Sequence, residues 1–344
     1  MEAKQPPSAP ARAPASMWLL AILLGAASAL LDSEAMIALG PMAESLTSDN
    51  DLTRQTAETT LGIFRIGLLA GAALVLAWIV SWRRWAGSRL VAFVYRQPLP
   101  PRDASEPSVL NASFFIALAA FAASITYVLL APTLLTGPSR AFVGEEDGIV
   151  EVISALCFLC ASCVSFLTVK RIRRGQRPLA TVQRRQAGWH ALMGVFFFLC
   201  CGEEISWGQR IFGFETPDAI AEINVQSEVN LHNMLGYLTD HVFIIAVAVY
   251  GVLLPALAHR YEFWRRSLNW TGLPLASPGL MIGFGLSSAL HKWVFSDIWI
   301  RAGLRAEELR ETLTALCFML VMIECFRRAS RVDLPAAGVE APTP

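Results

Sequence analysis

The stretch GIVEVISALCFLCASCVSFLTVKRIRR, Gly148–Arg174, decides the class of fold. From Gly148 to Val169 it is apolar except for Glu151 and a few small hydroxyls. A helix of about 20 such residues crosses the roughly 30 Å hydrocarbon core of a bilayer. Lys170, Arg171, Arg173 and Arg174 follow at once. Basic residues at a helix exit mark the cytoplasmic side. The stretch also holds Cys157, Cys160 and Cys163. A tetrahedral thiolate site needs a fourth ligand, which this run does not supply, so the three read as small apolar residues.

Working outward, seven further apolar stretches are read as crossings: Met17–Leu39, Thr60–Trp82, Asn111–Leu135, Gly188–Trp207, Gly236–Leu257, Ser277–Phe295 and Thr312–Phe326. The first is interrupted by Asp32 and Glu34. It also competes with a signal-peptide reading, since Lys4 and Arg12 precede it and Ala27–Ala29 resembles a cleavage site. Basic loops alternate with acidic ones: Arg83 to Arg102, Lys170 to Arg185, Arg260 to Arg266, and Arg327 to Arg331. The expectation is an all-α polytopic transmembrane helix bundle of about eight spans with both termini cytoplasmic. Residues 17–331 form one domain in this reading. The Pro/Ala-rich residues 1–16 and the tail 332–344 are expected to be disordered.

Composition agrees. The chain is 54% hydrophobic and 16% charged, against about 25% charged in soluble domains. Its formal net charge of +0 gives no pull toward nucleic acid. The 7 cysteines are not spaced as a disulfide framework.

The polar motifs gather on the predicted outer side: GEEDGIVE (Gly144–Glu151), GEEISWGQR (Gly202–Arg210), EINVQSEVNLHN (Glu222–Asn233), Asp240–His241, SALHKW (Ser288–Trp293) and Glu307–Glu311. Ionisable groups in or beside a span are costly and signal function. Read as continuous helix, GEEISWGQR places Glu203, Ser206 and Arg210 on one face with Trp207 beside them. Glu203 and Glu204 then point about 100° apart. Thr216 and Pro217 suit the start of a short surface helix. Alternation in EINVQSEVNLHN gives at most a brief strand at Asn224–Val229, folded as a lid over the helix ends. Glu203, Glu204, Asp240 and His241 are the candidate catalytic residues. Arg210, Gln209, Trp207, His232, Asn233 and Lys292 are the candidate substrate contacts. His232, His241 and His291 are the candidate ligands for a divalent metal, although no paired ligand spacing such as H-x-x-x-H occurs.

The run GEEISWGQRIFGFETP…NVQSEVNLHN, Gly202 to Asn233, resembles one seen in uncharacterised bacterial multi-span membrane proteins. The resemblance implies a bacterial inner-membrane setting and no particular mechanism. A partial likeness of Ser287-x-x-x-His291 to alkaline ceramidase-like hydrolases lacks their paired histidines, and that activity is not carried over. The expected function is acid/base or metal-assisted chemistry on an envelope lipid or lipid-linked substrate, with membrane lipids as partners. A proton-coupled transporter and a non-catalytic assembly protein are the alternatives.

Overall fold

The computed structural model describes residues 13, 15–39, 46–47, 51–97, 99, 111–144, 148–174, 180–213, 216, 237–290 and 306–331. Among them there is helix and no strand. Four helices hold segments long and apolar enough to cross a membrane: Ala57–Val80, Ala112–Leu134, Ile149–Arg174 and Phe243–Arg260. The chain divides into two compact units, one before Leu99 and one formed mainly by the residues after Pro98.

The first unit contains α1 (Ala15–Leu30), α2 (Ser33–Leu39), α3 (Asp51–Val80), α4 (Trp82–Ala86) and α5 (Arg89–Arg96). The single helix expected over Met17–Leu39 is corrected here. It breaks at Leu31–Asp32, and α1 has 16 residues, about 24 Å at 1.5 Å per residue. That is less than a full hydrocarbon core. Asp32 turns its carboxylate toward Arg65 of α3 at 3.4 Å, and Ser28 donates to the Arg65 carbonyl at 3.3 Å. Trp78, Trp82 and Trp85 cluster at the far end of α3, with centroids 5.1 to 6.3 Å apart.

The second unit contains α6 (Ala112–Leu134), α7 (Gly137–Gly144), α8 (Ile149–Arg174), α9 (Thr181–Glu204), a 3-10 turn (Ser206–Gly208) and α10 (Gln209–Phe212). After a gap come α11 (Tyr237–Ala248), a π turn (Val249–Leu253), α12 (Leu254–Arg260), α13 (Glu262–Thr271), α14 (Pro278–Ala289) and α15 (Ala306–Arg331). The apolar stretch Gly148–Arg174 contains α8, the centre of this unit. Ser154, Phe158, Ala161, Ser165 and Thr168 recur at helical spacing and are buried. Val152 and Leu167 on its other faces are 51% and 49% exposed, whereas Ser154 and Ser165 are 0% exposed. Small polar residues inside and large apolar ones outside are the pattern of a helix bundle in lipid.

Small residues bring the helices close. Ser162 of α8 donates to the Gly194 carbonyl of α9 at 2.7 Å. A Cβ on Gly194 would stand 2.9 Å from the Phe166 ring, so glycine permits that approach. Phe197, Phe284 and Phe318 then meet with centroids of 5.1 Å from Phe318 to each of the others. The sixth predicted crossing is interrupted by the π turn, where a Cβ on Gly251 would run into the Phe284 ring. Neighbouring Tyr250 donates to the Pro274 carbonyl at 2.8 Å.

Candidate functional site

The contacts sort the helices of the second unit end to end. Thr312 of α15 donates to the Val150 carbonyl of α8 at 3.0 Å. At the opposite end the Arg171 guanidinium lies 5.6 Å from the Phe326 ring centroid. The helices α8 and α15 therefore run side by side in the same direction. The hairpin partner α9 runs the other way, so its C-terminal Glu204 arrives where α8 and α15 begin.

Acidic residues of three helices are found at this end. Glu204 lies within electrostatic reach of Glu311, Glu308 and Glu151. The Ser154 hydroxyl, 0% exposed, stands beside it. Arg310 is beside Glu311: its side chain is 2% exposed, and Nη2 is 3.8 Å from Glu311 Oε1. The local backbone explains part of this crowding. Glu151 lies in the first turn of α8 and Glu308 in the first turn of α15, and helix N-termini carry partial positive charge that favours carboxylates. Glu204 closes α9, where the dipole opposes a negative charge. Its position is held by packing and not by local preference.

Glu203, one residue earlier, leaves the cluster. It accepts a hydrogen bond from Trp207 Nε1 at 2.8 Å. This corrects the expectation of one continuous helix through GEEISWGQR. Helix α9 stops at Glu204, and Ser206, Trp207 and Gly208 all have positive φ, at 44°, 53° and 79°. The reversal folds the indole back over Gly202, where an added Cβ would lie 2.9 Å from the ring. Ser206 is buried by the turn, at 4% exposure. Glu203, Ser206 and Arg210 thus do not share a helical face. Gln209 opens α10 and donates to Thr216 at 2.7 Å, tying the turn to the chain that follows.

Other candidates are placed less fully. Asp240 and His241 belong to the first turns of α11, where the backbone is described and the side chains are not. The same holds for Arg210 in α10. His232, Asn233, His291 and Lys292 lie outside the described residues, as do the Asn224–Val229 strand, the surface helix from Pro217 onward, the lid and both chain ends. Among the described residues no three His, Cys, Asp or Glu side chains are arranged to hold a metal ion.

Sequence reasoning missed a second polar centre at the opposite end of the unit. Glu324 of α15 is 7% exposed. Its Oε1 accepts from Asn111 Nδ2 at 3.0 Å and from Ser277 Oγ at 3.0 Å, while Oε2 accepts from Arg328 at 3.2 Å. Asn111 also caps α6 by accepting from the Phe114 amide at 2.8 Å, and Ser277 caps α14. One buried carboxylate thereby joins two helix N-termini to a third helix. Nearby, Arg185 of α9 stacks 4.0 Å from the Trp270 ring centroid and donates to the Trp270 carbonyl at 2.7 Å. The available signal was a lone Glu in an apolar run between Cys317 and Phe326.

The chemistry of the two centres differs. The Glu324 centre is saturated with hydrogen bonds and builds structure. The Glu204 end brings several carboxyl groups within electrostatic reach of one another, and such a set can hold and hand on a proton. Comparison with protein-family models, with curated proteins and with solved structures finds no match.

Proposed function

We propose that the chain is a bacterial inner-membrane protein that carries out acid/base chemistry at the outer membrane face, on an envelope lipid or lipid-linked substrate. The observation that carries this reading is the gathering of acidic side chains from three helices at one end, with Glu204 in electrostatic reach of Glu311, Glu308 and Glu151. Carboxyl groups within a membrane span are costly and mark function by default, and the cost falls toward the boundary. In this reading Glu204 gives or takes the proton and Glu311 exchanges it. Arg310 keeps the group from excessive negative charge. Glu203, held by Trp207, and Asp240 with His241 orient the substrate. Arg210 and Lys292 take its anionic group, a task suited to guanidinium and ammonium donors.

The test uses the purified full chain in liposomes of bacterial lipid, with lipids followed by mass spectrometry. Glu204→Gln and Glu311→Gln should each cut turnover about a hundredfold or more, the usual range for a general acid or base. Unaltered lipids with the wild-type chain, or full turnover in both variants, would overturn the proposal.

A second reading rests on one observation, the π turn Val249–Leu253 that interrupts a membrane-length helix. Broken helices and intramembrane carboxyls also suit proton-coupled transport. Proton flux into the same liposomes, abolished by Glu204→Gln without any lipid change, would favour it.

A further inference from the structure

A different surface carries its own argument, independent of the Glu204 cluster. Between Thr59 and Arg102 the chain has no Asp or Glu, while Arg83, Arg84, Arg89, Arg96 and Arg102 fall after the end of α3. The apolar segment Ala57–Val80 of α3 is long enough to cross a bilayer. Helix α5 begins nine residues beyond Val80. If fully helical, that connection would climb only about 14 Å at 1.5 Å per residue, so α5 starts close to the headgroups.

Its two sides are unlike. Val91 and Val94 are buried at 2% and 6%. Leu90 and Phe93 are 60% and 42% exposed. With 100° per residue, Phe93 and Leu90 lie between the exposed pair Arg89 and Arg96 on one side and the buried valines on the other. Ser88 caps the helix by accepting from the Val91 amide at 3.3 Å, which fixes where the face begins. The clustered Trp78, Trp82 and Trp85 precede it, and tryptophan collects at the membrane–water boundary. An apolar edge with arginines beside it is how a helix lies in an interface plane.

We infer that α4 and α5 form a foot that rests on an anionic phospholipid leaflet. Leu90 and Phe93 enter the acyl boundary, and Arg83, Arg84, Arg89 and Arg96 take lipid phosphates. A basic surface without nearby acid selects anionic over zwitterionic lipid, by about fivefold for each arginine near the surface.

The full chain in nanodiscs tests this by hydrogen exchange of residues 82–97, with discs of phosphatidylcholine alone or with phosphatidylglycerol added. Anionic lipid should slow exchange in α5, and high salt should reverse the effect. Arg89→Gln with Arg96→Gln should lower the anionic preference about twenty-five-fold, two factors of roughly five. Leu90→Ser with Phe93→Ser should raise exchange in both kinds of disc. Exchange across α8 serves as the folding control for every variant. Equal protection in both lipids for the wild type would overturn the inference and assign α5 to a purely protein contact. Protection that rises with protein concentration in lipid-free detergent would overturn it in favour of a second copy of the chain.

Discussion

The two ends of the second unit treat a glutamate withdrawn from solvent, buried Glu324 and half-buried Glu204, in opposite ways. Glu324 receives Asn111, Ser277 and Arg328, each within 3.2 Å. Glu204 lies in electrostatic reach of Glu311, Glu308 and Glu151, and the buried Arg310 is 3.8 Å from Glu311. A buried acceptor with all its partners fixes helices in register, and removing it leaves stranded donors. A carboxylate among carboxylates adds nothing to stability, so its retention needs another reason. The contrast separates an end whose hydrogen bonds are complete from an end where like charges crowd, the end proposed above to react.

The largest effect should come from removing the cation. Arg310→Met removes a guanidinium that is 2% exposed and 3.8 Å from the largely buried Glu311 carboxylate, and should cost about 3 kcal/mol or more. Denaturant unfolding of the detergent-solubilised chain measures it. Glu324→Ala should follow at about 3 kcal/mol, since it strands Asn111, Ser277 and Arg328 together. A loss under about 1 kcal/mol would erase the claim that this end is the structural one. Gly202→Ala pushes a methyl into the Trp207 ring and should cost about 2 kcal/mol by overpacking, read as a lowered melting temperature. Trp207→Phe keeps the ring and deletes the donor to Glu203, at about 1 kcal/mol. Glu204→Gln sharpens the comparison most although its effect on stability is smallest, within about 0.5 kcal/mol, because it removes one of several like charges. The same melting experiment on Glu324→Gln and Glu204→Gln should therefore separate the two ends, with only the first losing stability.

How much of this could be read in the chain follows from how far each feature reaches. The crossings at Asn111–Leu135 and Gly148–Val169 overlap α6 and α8 almost fully, because apolar length is a local property. The predicted Met17–Leu39 helix failed at Asp32, whose partner Arg65 lies in another helix. The helical reading of GEEISWGQR failed because Ser206 and Trp207 carry no local mark of positive φ. Gly208 alone hinted at the turn, and the closing contact is an indole lying over Gly202. The acidic cluster was half visible. Glu204, Glu311 and Glu151 each stood in a motif, but their meeting depends on three helices from separate parts of the chain. Of the Glu324 centre only the lone Glu in its apolar run was legible, since its partners Asn111 and Ser277 lie 213 and 47 positions away from it.

The π turn at Val249–Leu253 has a geometric effect beyond the break it makes. One extra residue within a helical turn advances the phase of everything on its far side by about 100°. Helix α11, which carries Asp240 and His241, therefore takes its azimuth from a wedge of backbone seated against Phe284. Deleting one residue there would keep the helix and every residue type upstream, yet rotate Asp240 and His241 by more than a quarter turn. The compass bearing of two candidate site residues is written in the packing of a glycine and a phenylalanine further along the helix.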